Sequence, residues 1–366
     1  MTTHISSNND TWQWWLSLSN EWQAHLLQAA NIHIDDACDE QAMLPYLPVI
    51  EQLEQLKIRH LPLIKQSGRL DINHAECGRL DLKPLERLTA LKSLIISHAT
   101  ELHNVSSLTA LKQLQSLTVV SVKQGFDLEP LAALTQLKSL TLVKTVLHHA
   151  DVLAHFTQLT QLTLEWLSDL SVLEQLPQLT DVRLCNAQVA QLTALSKLCK
   201  LERLSVVSNQ VEDISALSHC TALKSLSLVG VQVRDLSPLQ HLTQLQDVEL
   251  WTMPVSDLSP LQHLTALERL SLSKLDVADV SPLRHLTQLN ELDLSDLPVS
   301  DLSPLRHLTQ LACLILSKLN VVDVMPLCAL TQLTMLDLDG LASDDDVQIL
   351  QRALPKCQIQ NLSFDD

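Results

Sequence analysis

The chain has 366 residues, 46% of them hydrophobic but only 3% aromatic, with a formal net charge of −17. Such an acidic chain is excluded from binding a nucleic-acid backbone, whose counterions must be displaced by lysine and arginine, and an anionic membrane surface is disfavoured on the same ground. With only five glycines there is little to build a phosphate-cradling loop, and no GxSxG or HExxH appears, so no catalytic site, cofactor or metal is expected.

The start of the chain lacks a basic segment followed by an apolar one, and no apolar run approaches the roughly 20 residues that span a bilayer. The eight cysteines, Cys38, Cys77, Cys185, Cys199, Cys220, Cys313, Cys328 and Cys357, show no CxxC and no paired spacing. Mostly buried, unpaired thiols in a reducing cytoplasm are the expectation.

Residues 1–50 read as a polar tail followed by a tryptophan-rich helical cap. Trp15, Leu18, Trp22 and Leu26 recur at spacings of three and four, the mark of one helical face. Trp12 and Trp14 join them. Two readings stand: a cap closing one end of the array, or a docking helix for a partner. Residues 51–87 follow as degenerate repeats, carried by Leu53-x-x-Leu56-x-Ile58 and by Leu70-Asp71-Ile72.

Residues 88–342 are a repeat array. Leu245–Leu250 reads LQDVEL, Leu267–Leu272 LERLSL, Leu289–Leu294 LNELDL and Leu311–Leu316 LACLIL, each 22 residues after the last. Between them runs DLSPLQHLTQ from Asp235, and close copies from Asp257, Asp279 and Asp301. A fixed period of this length means stacked supersecondary units. The strand leucines fall at Leu94, Leu117, Leu140, Leu162, Val182, Leu204, Leu226, Val248, Leu270, Leu292, Leu314 and Leu336. Steps are 22 or 23 residues, except the 20 from Leu162 to Val182, so residues 165–185 are the expected irregularity.

The phrase Leu-x-x-Leu-x-Leu ends in period two, so its last two leucines point to one side of a short strand. In the return segment Pro238 sits where a helix can start without its N–H. Ser237 reads as the N-cap and Asp235 as an acceptor in the turn before it. Too few residues remain for a long helix, so one turn of 3₁₀ or α character is predicted. Residues 343–366 form a helical C-terminal cap, started by Ser343 and Asp344–Asp346, with Ile359 and Leu362 in a closing strand.

This alternation resembles the leucine-rich repeat family, specifically its 22-residue, internalin-like subclass found in bacteria. The resemblance implies an α/β repeat solenoid: a right-handed arc with a concave parallel β-sheet, short 3₁₀ or helical turns on the convex side, and helical caps. It also implies protein binding without catalysis. One departure concerns the Asn that the family places three residues after the last strand leucine. Only Asn209 fits; Val231, Met253, Leu275, Leu297, Leu319 and Leu341 stand at the matching positions, leaving the closure of the turning backbone open. The internalins are exported and no export signal is visible here, so their role at a host receptor is not carried over.

Histidines 219, 241, 263, 285 and 307 share one repeat position, which reads as a copied outer surface rather than a metal column. Variation concentrates beside the strand leucines. The candidate partner-binding residues are Glu165, Trp166, Asp181, Arg183, Arg203, Asp247, Glu249, Trp251, Arg269, Glu291 and Asp293. Trp166 and Trp251 are the tryptophans outside the cap, and tryptophan and arginine are frequent binding hot spots. An exposed tryptophan among carboxylates suggests a partner with a basic or amphipathic segment. The competing reading is that neighbouring strands pair their own charges, in the columns Asp247–Arg269–Glu291 and Lys274–Asp296–Lys318. The expected function is protein–protein recognition by a monomeric cytoplasmic adaptor or regulatory subunit. The alternatives are a secreted bacterial effector binding a host protein, and an enzyme with an unrecognised site.

Overall fold

The computed structural model describes residues 5–30, 43, 45–59, 79–208 and 210–361. Leu70–Ile72, Cys38, Cys77, Asn209 and Leu362 lie outside the described residues. The chain divides into two compact units, Met1–Glu165 and Trp166–Asp366.

In the first unit, helices α1 (Ile5–Ser17), α2 (Asn20–Ala29) and α3 (Leu47–Glu51) precede the strands. Ser19 starts α2, its hydroxyl accepting from the Trp22 N–H. Trp12, Trp15, Leu18, Trp22 and Leu26 are all buried. The Trp22 indole N–H donates to the Asp81 carbonyl at 3.0 Å, and the Arg87 guanidinium lies 5.8 Å from the centre of the Trp14 ring. These side chains are spent on the protein's own core, which removes the anchors a docking helix would need.

The strands of this unit are Gln55–Arg59, Ser93–Ser97, Ser116–Val120, Ser139–Val143 and Gln161–Glu165. They pair in parallel with Leu56, Leu94, Leu117, Leu140 and Leu162 in one register row. Two short parallel pairs were not legible beforehand: Arg79–Asp81 with Glu101–His103, and Phe126–Asp127 with Leu147–His148.

The second unit has nine parallel strands: Asp181–Cys185, Arg203–Val207, Ser225–Val229, Asp247–Met253, Arg269–Leu275, Glu291–Ser295, Cys313–Ile315, Met335–Asp337 and Gln358–Gln360. Val182, Leu204, Leu226, Val248, Leu270, Leu292, Leu314, Leu336 and Ile359 align in one row. All but Ile359 are buried, and the next inward positions, from Leu184 to Leu338, are buried with them. The leucine core therefore follows directly from period two. Helix α4 (Asp344–Ala353) opens on a capping box between Ser343 and Asp346.

Short 3₁₀ segments link the strands, such as Ser259–His263 and Ser281–His285. Their capping differs from the expectation. The residue before the segment is Leu258 or Val280, with no side-chain cap, and the serine is already inside it. The aspartate is the acceptor: Asp235, Asp257, Asp279 and Asp301 each take the N–H of the serine two residues on, at 2.8 Å, and its hydroxyl as well. Serine at the first 3₁₀ position has no free N–H ahead of it to cap, whereas the aspartate two residues earlier reaches one. In the shortened repeat, five residues (166–170) separate the strand from the 3₁₀ segment, against seven (186–192) in the next.

The backbone closes without an asparagine column. In most repeats one position turns left-handed, and non-glycine residues hold it: His98, Ser121 and Lys144 in the first unit, and Trp166, Asn186, Thr252, Lys274, Asp296 and Lys318 in the second. Gly230 occupies the same place with φ 72°. The amide there donates to a carbonyl of the following repeat, as Gly230 does to Trp251 at 2.8 Å and Asp296 to Ser317 at 2.8 Å. Val231, Met253, Leu275, Leu297 and Leu319 fill the turn as buried apolar groups.

The cysteines also depart from expectation. Of six described, only Cys220 and Cys357 are buried, while Cys199 is exposed and Cys185, Cys313 and Cys328 are intermediate; none forms a disulfide. Burial pushes the Cys220 thiol up to about 11.

Candidate functional site

Parallel sheets are usually covered on both faces. In the second unit the inward residues make the core, and the alternate residues of each strand point to a side where half or more of them retain solvent contact. Three columns cross the strands there. The first holds Asp181, Arg203, Ser225, Asp247, Arg269, Glu291 and Cys313; the second Arg183, Ser205, Ser227, Glu249, Ser271, Asp293 and Ile315. The third holds Cys185, Val207, Val229, Trp251, Ser273 and Ser295.

The charges in the first column do pair across strands. Arg203 Nε donates to Asp181 at 2.8 Å, and Arg269 Nη2 to Asp247 at 3.0 Å. Each guanidinium is held above its usual value chiefly by that hydrogen bond. Arg183 also lies 3.6 Å from Asp181. Asp181, Arg183 and Arg203 thus form a self-satisfied cluster. Lys274, Asp296 and Lys318, by contrast, make no ion pair among the described residues.

Around Trp251 the arrangement is different. Asp247, Glu249, Trp251, Arg269, Glu291 and Asp293 surround a depression of about 310 Å³, floored by Leu270, Ser271 and Leu292 and closed by Cys313 and Ile315. It carries four carboxylates against one guanidinium, and that guanidinium is engaged by Asp247. The indole N–H of Trp251 donates to Ser271 Oγ at 2.9 Å, which donates onward to Asp293 at 3.1 Å; Ser295 donates to the other oxygen of Asp293. Ser227 donates to Glu249 at 2.6 Å. The ring is therefore fixed by a relay across three strands, yet 38% of its surface stays open. Burial, and then Glu291, Asp293 and Asp337, push the Cys313 thiol up, which disfavours its reactive thiolate form.

Two candidates stand apart. Trp166 is exposed and left-handed, its amide on the Cys185 carbonyl, outside the depression. Glu165 belongs to the first unit and is buried; its Oε2 accepts the Lys144 N–H at 2.6 Å. It is a correction to the predicted surface: the carboxylate substitutes for the carbonyl that receives this amide in other repeats. Ser227, Ser271 and Ser295 were missed, although all are outward strand positions beside a candidate residue.

Among the described residues one trio, Asp127, Glu129 and His149, places potential metal ligands within 4.8 Å of one another. His149 Nδ1 lies 2.7 Å from Asp127 Oδ1, whose carboxylate also accepts the Glu129 N–H, so turn hydrogen bonds account for the grouping.

A family model described as Leucine Rich repeats (2 copies) matches residues 199–241. The internalin InlF of Listeria monocytogenes has the same fold at 24% identity and TM-score 0.69, covering 86% of this chain and 93% of its own. The chain has the leucine-rich repeat fold. A second Listeria monocytogenes internalin, InlJ, matches the chain at 20% identity and TM-score 0.55, over 96% of this chain and 70% of that one. The plant peptide hormone receptor RGFR1, solved in complex with RGF2, matches at 15% identity and TM-score 0.51, over 72% and 50%. At these identities the likeness is one of fold. No curated protein matches the chain. The leucine-rich repeat fold is typically a protein-interaction module rather than a catalyst, and no helix among the described residues is long and apolar enough to cross a membrane.

Proposed function

We propose that this leucine-rich repeat protein binds a protein partner through the open sheet surface around Trp251, taking a basic side chain of that partner into the carboxylate-lined depression. One observation carries the reading: an indole locked by Ser271 and Asp293 but left 38% open, with Glu249 and Glu291 beside it. A cation seated there meets an aromatic face and carboxylates together. Locking the ring in advance removes ordering cost from binding. The RGFR1 structure, a peptide hormone receptor with RGF2, supports a peptide-like partner for the fold. A cytoplasmic adaptor or regulatory subunit, working as a monomer, is in keeping with six described cysteines that form no disulfide and with the net charge of −17.

The test is selection from a random peptide display library on the folded protein. Retained peptides should be rich in Lys and Arg, and Trp251→Ala or Glu249→Ala should weaken them by about 2 kcal/mol or more, the range of a hot spot. Equal binding by both variants, with unchanged circular dichroism, would reject the site.

A further inference from the structure

The third column of the open surface is apolar for four consecutive strands. Cys185, Val207, Val229 and Trp251 stand in register as nearest neighbours, and Val207 and Trp251 are among the few large hydrophobic side chains the protein leaves exposed. From the next strand the column turns polar, with Ser273 and Ser295. On the Ser295 strand the other columns become acidic, with Glu291 and Asp293, and Asp337 follows beyond Ile315. Trp251 is where the apolar stripe ends and the acidic depression begins. Each zone covers three strand intervals, about 14 Å.

An apolar stripe in register on an uncovered sheet is a contact surface awaiting a partner. Charge selects the occupant. A second copy of this chain would set carboxylates against carboxylates, at a net charge of −17 each. Nucleic acid and anionic lipid are opposed by the same field. A cationic polypeptide is drawn in at the Glu249–Glu291–Asp293 end and meets the apolar column at the other, where the flanking charges of Asp181, Arg183 and Arg203 are paired with one another.

Resting on the reading of Trp251 given above, we infer that the partner is a block-patterned segment. A basic half sits over the depression, and an adjoining apolar half crosses Val229, Val207 and Cys185. An extended chain covers each 14 Å zone with about five residues, so the recognised segment is about ten residues long and runs across the strands. Alternating apolar and basic residues would place half of each kind on the wrong zone.

Peptides selected on the wild type should carry contiguous apolar and basic blocks, and scrambling their order at fixed composition should weaken binding at least tenfold. Val207→Asp should cause a comparable loss, whereas Val322→Asp, at a valine 94% exposed elsewhere in the same unit, should cause none. Should Val207→Asp lower the thermal midpoint, the near-isosteric Val207→Thr takes its place. If the selected peptides are basic without an apolar block, or bind the Val207 variant as tightly as the wild type while Trp251→Ala still loses them, the stripe is no part of the site and the depression alone stands. If Trp251→Ala itself has no effect, the depression is refuted and this inference with it.

Discussion

At position 274 a lysine holds φ at 52°, and threonine, aspartate and lysine hold the equivalent places at 252, 296 and 318. An L-residue in this region costs roughly 1–2 kcal/mol against the right-handed conformation, and glycine avoids most of that cost while losing more entropy on folding. Lys274→Gly should therefore raise stability by about 0.5–1 kcal/mol. Gly230→Ala should lower it by about 1 kcal/mol. The new methyl would meet nothing closer than the Ser208 carbonyl at 3.5 Å, so the backbone angle alone is responsible. Urea midpoints at equal slope measure both. This position could not be read from sequence, because lysine, threonine and aspartate carry no common signal for a positive φ. The misreading of Glu165 has the same root: period two assigns a strand's last residue outward, and only the left-handed turn at Lys144 supplies the amide that draws the carboxylate in. Trp251 was legible as a site residue because it is a lone aromatic on an alternating strand. Its relay was not, since Ser271 and Asp293 lie one and two repeats further on.

The 3₁₀ elements carry a pH dependence. The carboxyls of Asp169, Asp257 and Asp301 are held below the usual carboxylate value, first by the backbone N–H of the serine two residues on and then by its hydroxyl. A depressed folded-state value stabilises the fold above the unfolded value, about 3.9, and that contribution fades as pH falls through the folded one. The urea midpoint should drop between about pH 5 and pH 3. It should drop less in the triple variant Asp169→Asn, Asp257→Asn, Asp301→Asn, which keeps an acceptor but cannot titrate. A variant that tracks the wild type across that range would exclude these turns as the cause. The leucine rows and the presence of a short turn were visible in advance because both are periodic. The aspartate's role as an acceptor was visible too, whereas the serine was misread as the N-cap, because that depends on where the segment starts, which differs by one residue.

For the molecule as a whole, the charge of −17 acts on encounter rather than on the fold. Association of a basic peptide with the open surface should slow steeply as salt is raised from about 0.05 M to about 1 M, where the screening length shrinks to roughly 3 Å. Dissociation should change far less, because it reports the short-range contacts at Trp251 and Val207. Stopped-flow indole fluorescence gives both rates. A salt-independent association rate would mean that the carboxylates of the depression attract nothing from a distance.

The main-chain links from Gly230 and Asp296 to the next repeat have a genetic consequence. Because the bond from Gly230 to Trp251 or from Asp296 to Ser317 uses only backbone atoms, a join of this kind places no demand on the side chains that meet there. The stretches beginning at Asp235, Asp257, Asp279 and Asp301 are nearly identical, as units copied by duplication would be. A daughter gene that lost the segment from Asp257 to Ala278 would encode a chain whose remaining repeats still join. It would have lost Arg269 and Ser271, and with them the hydrogen bond that steadies Trp251. Loss of one repeat would thus remove part of the binding surface while leaving such backbone joins available to its neighbours.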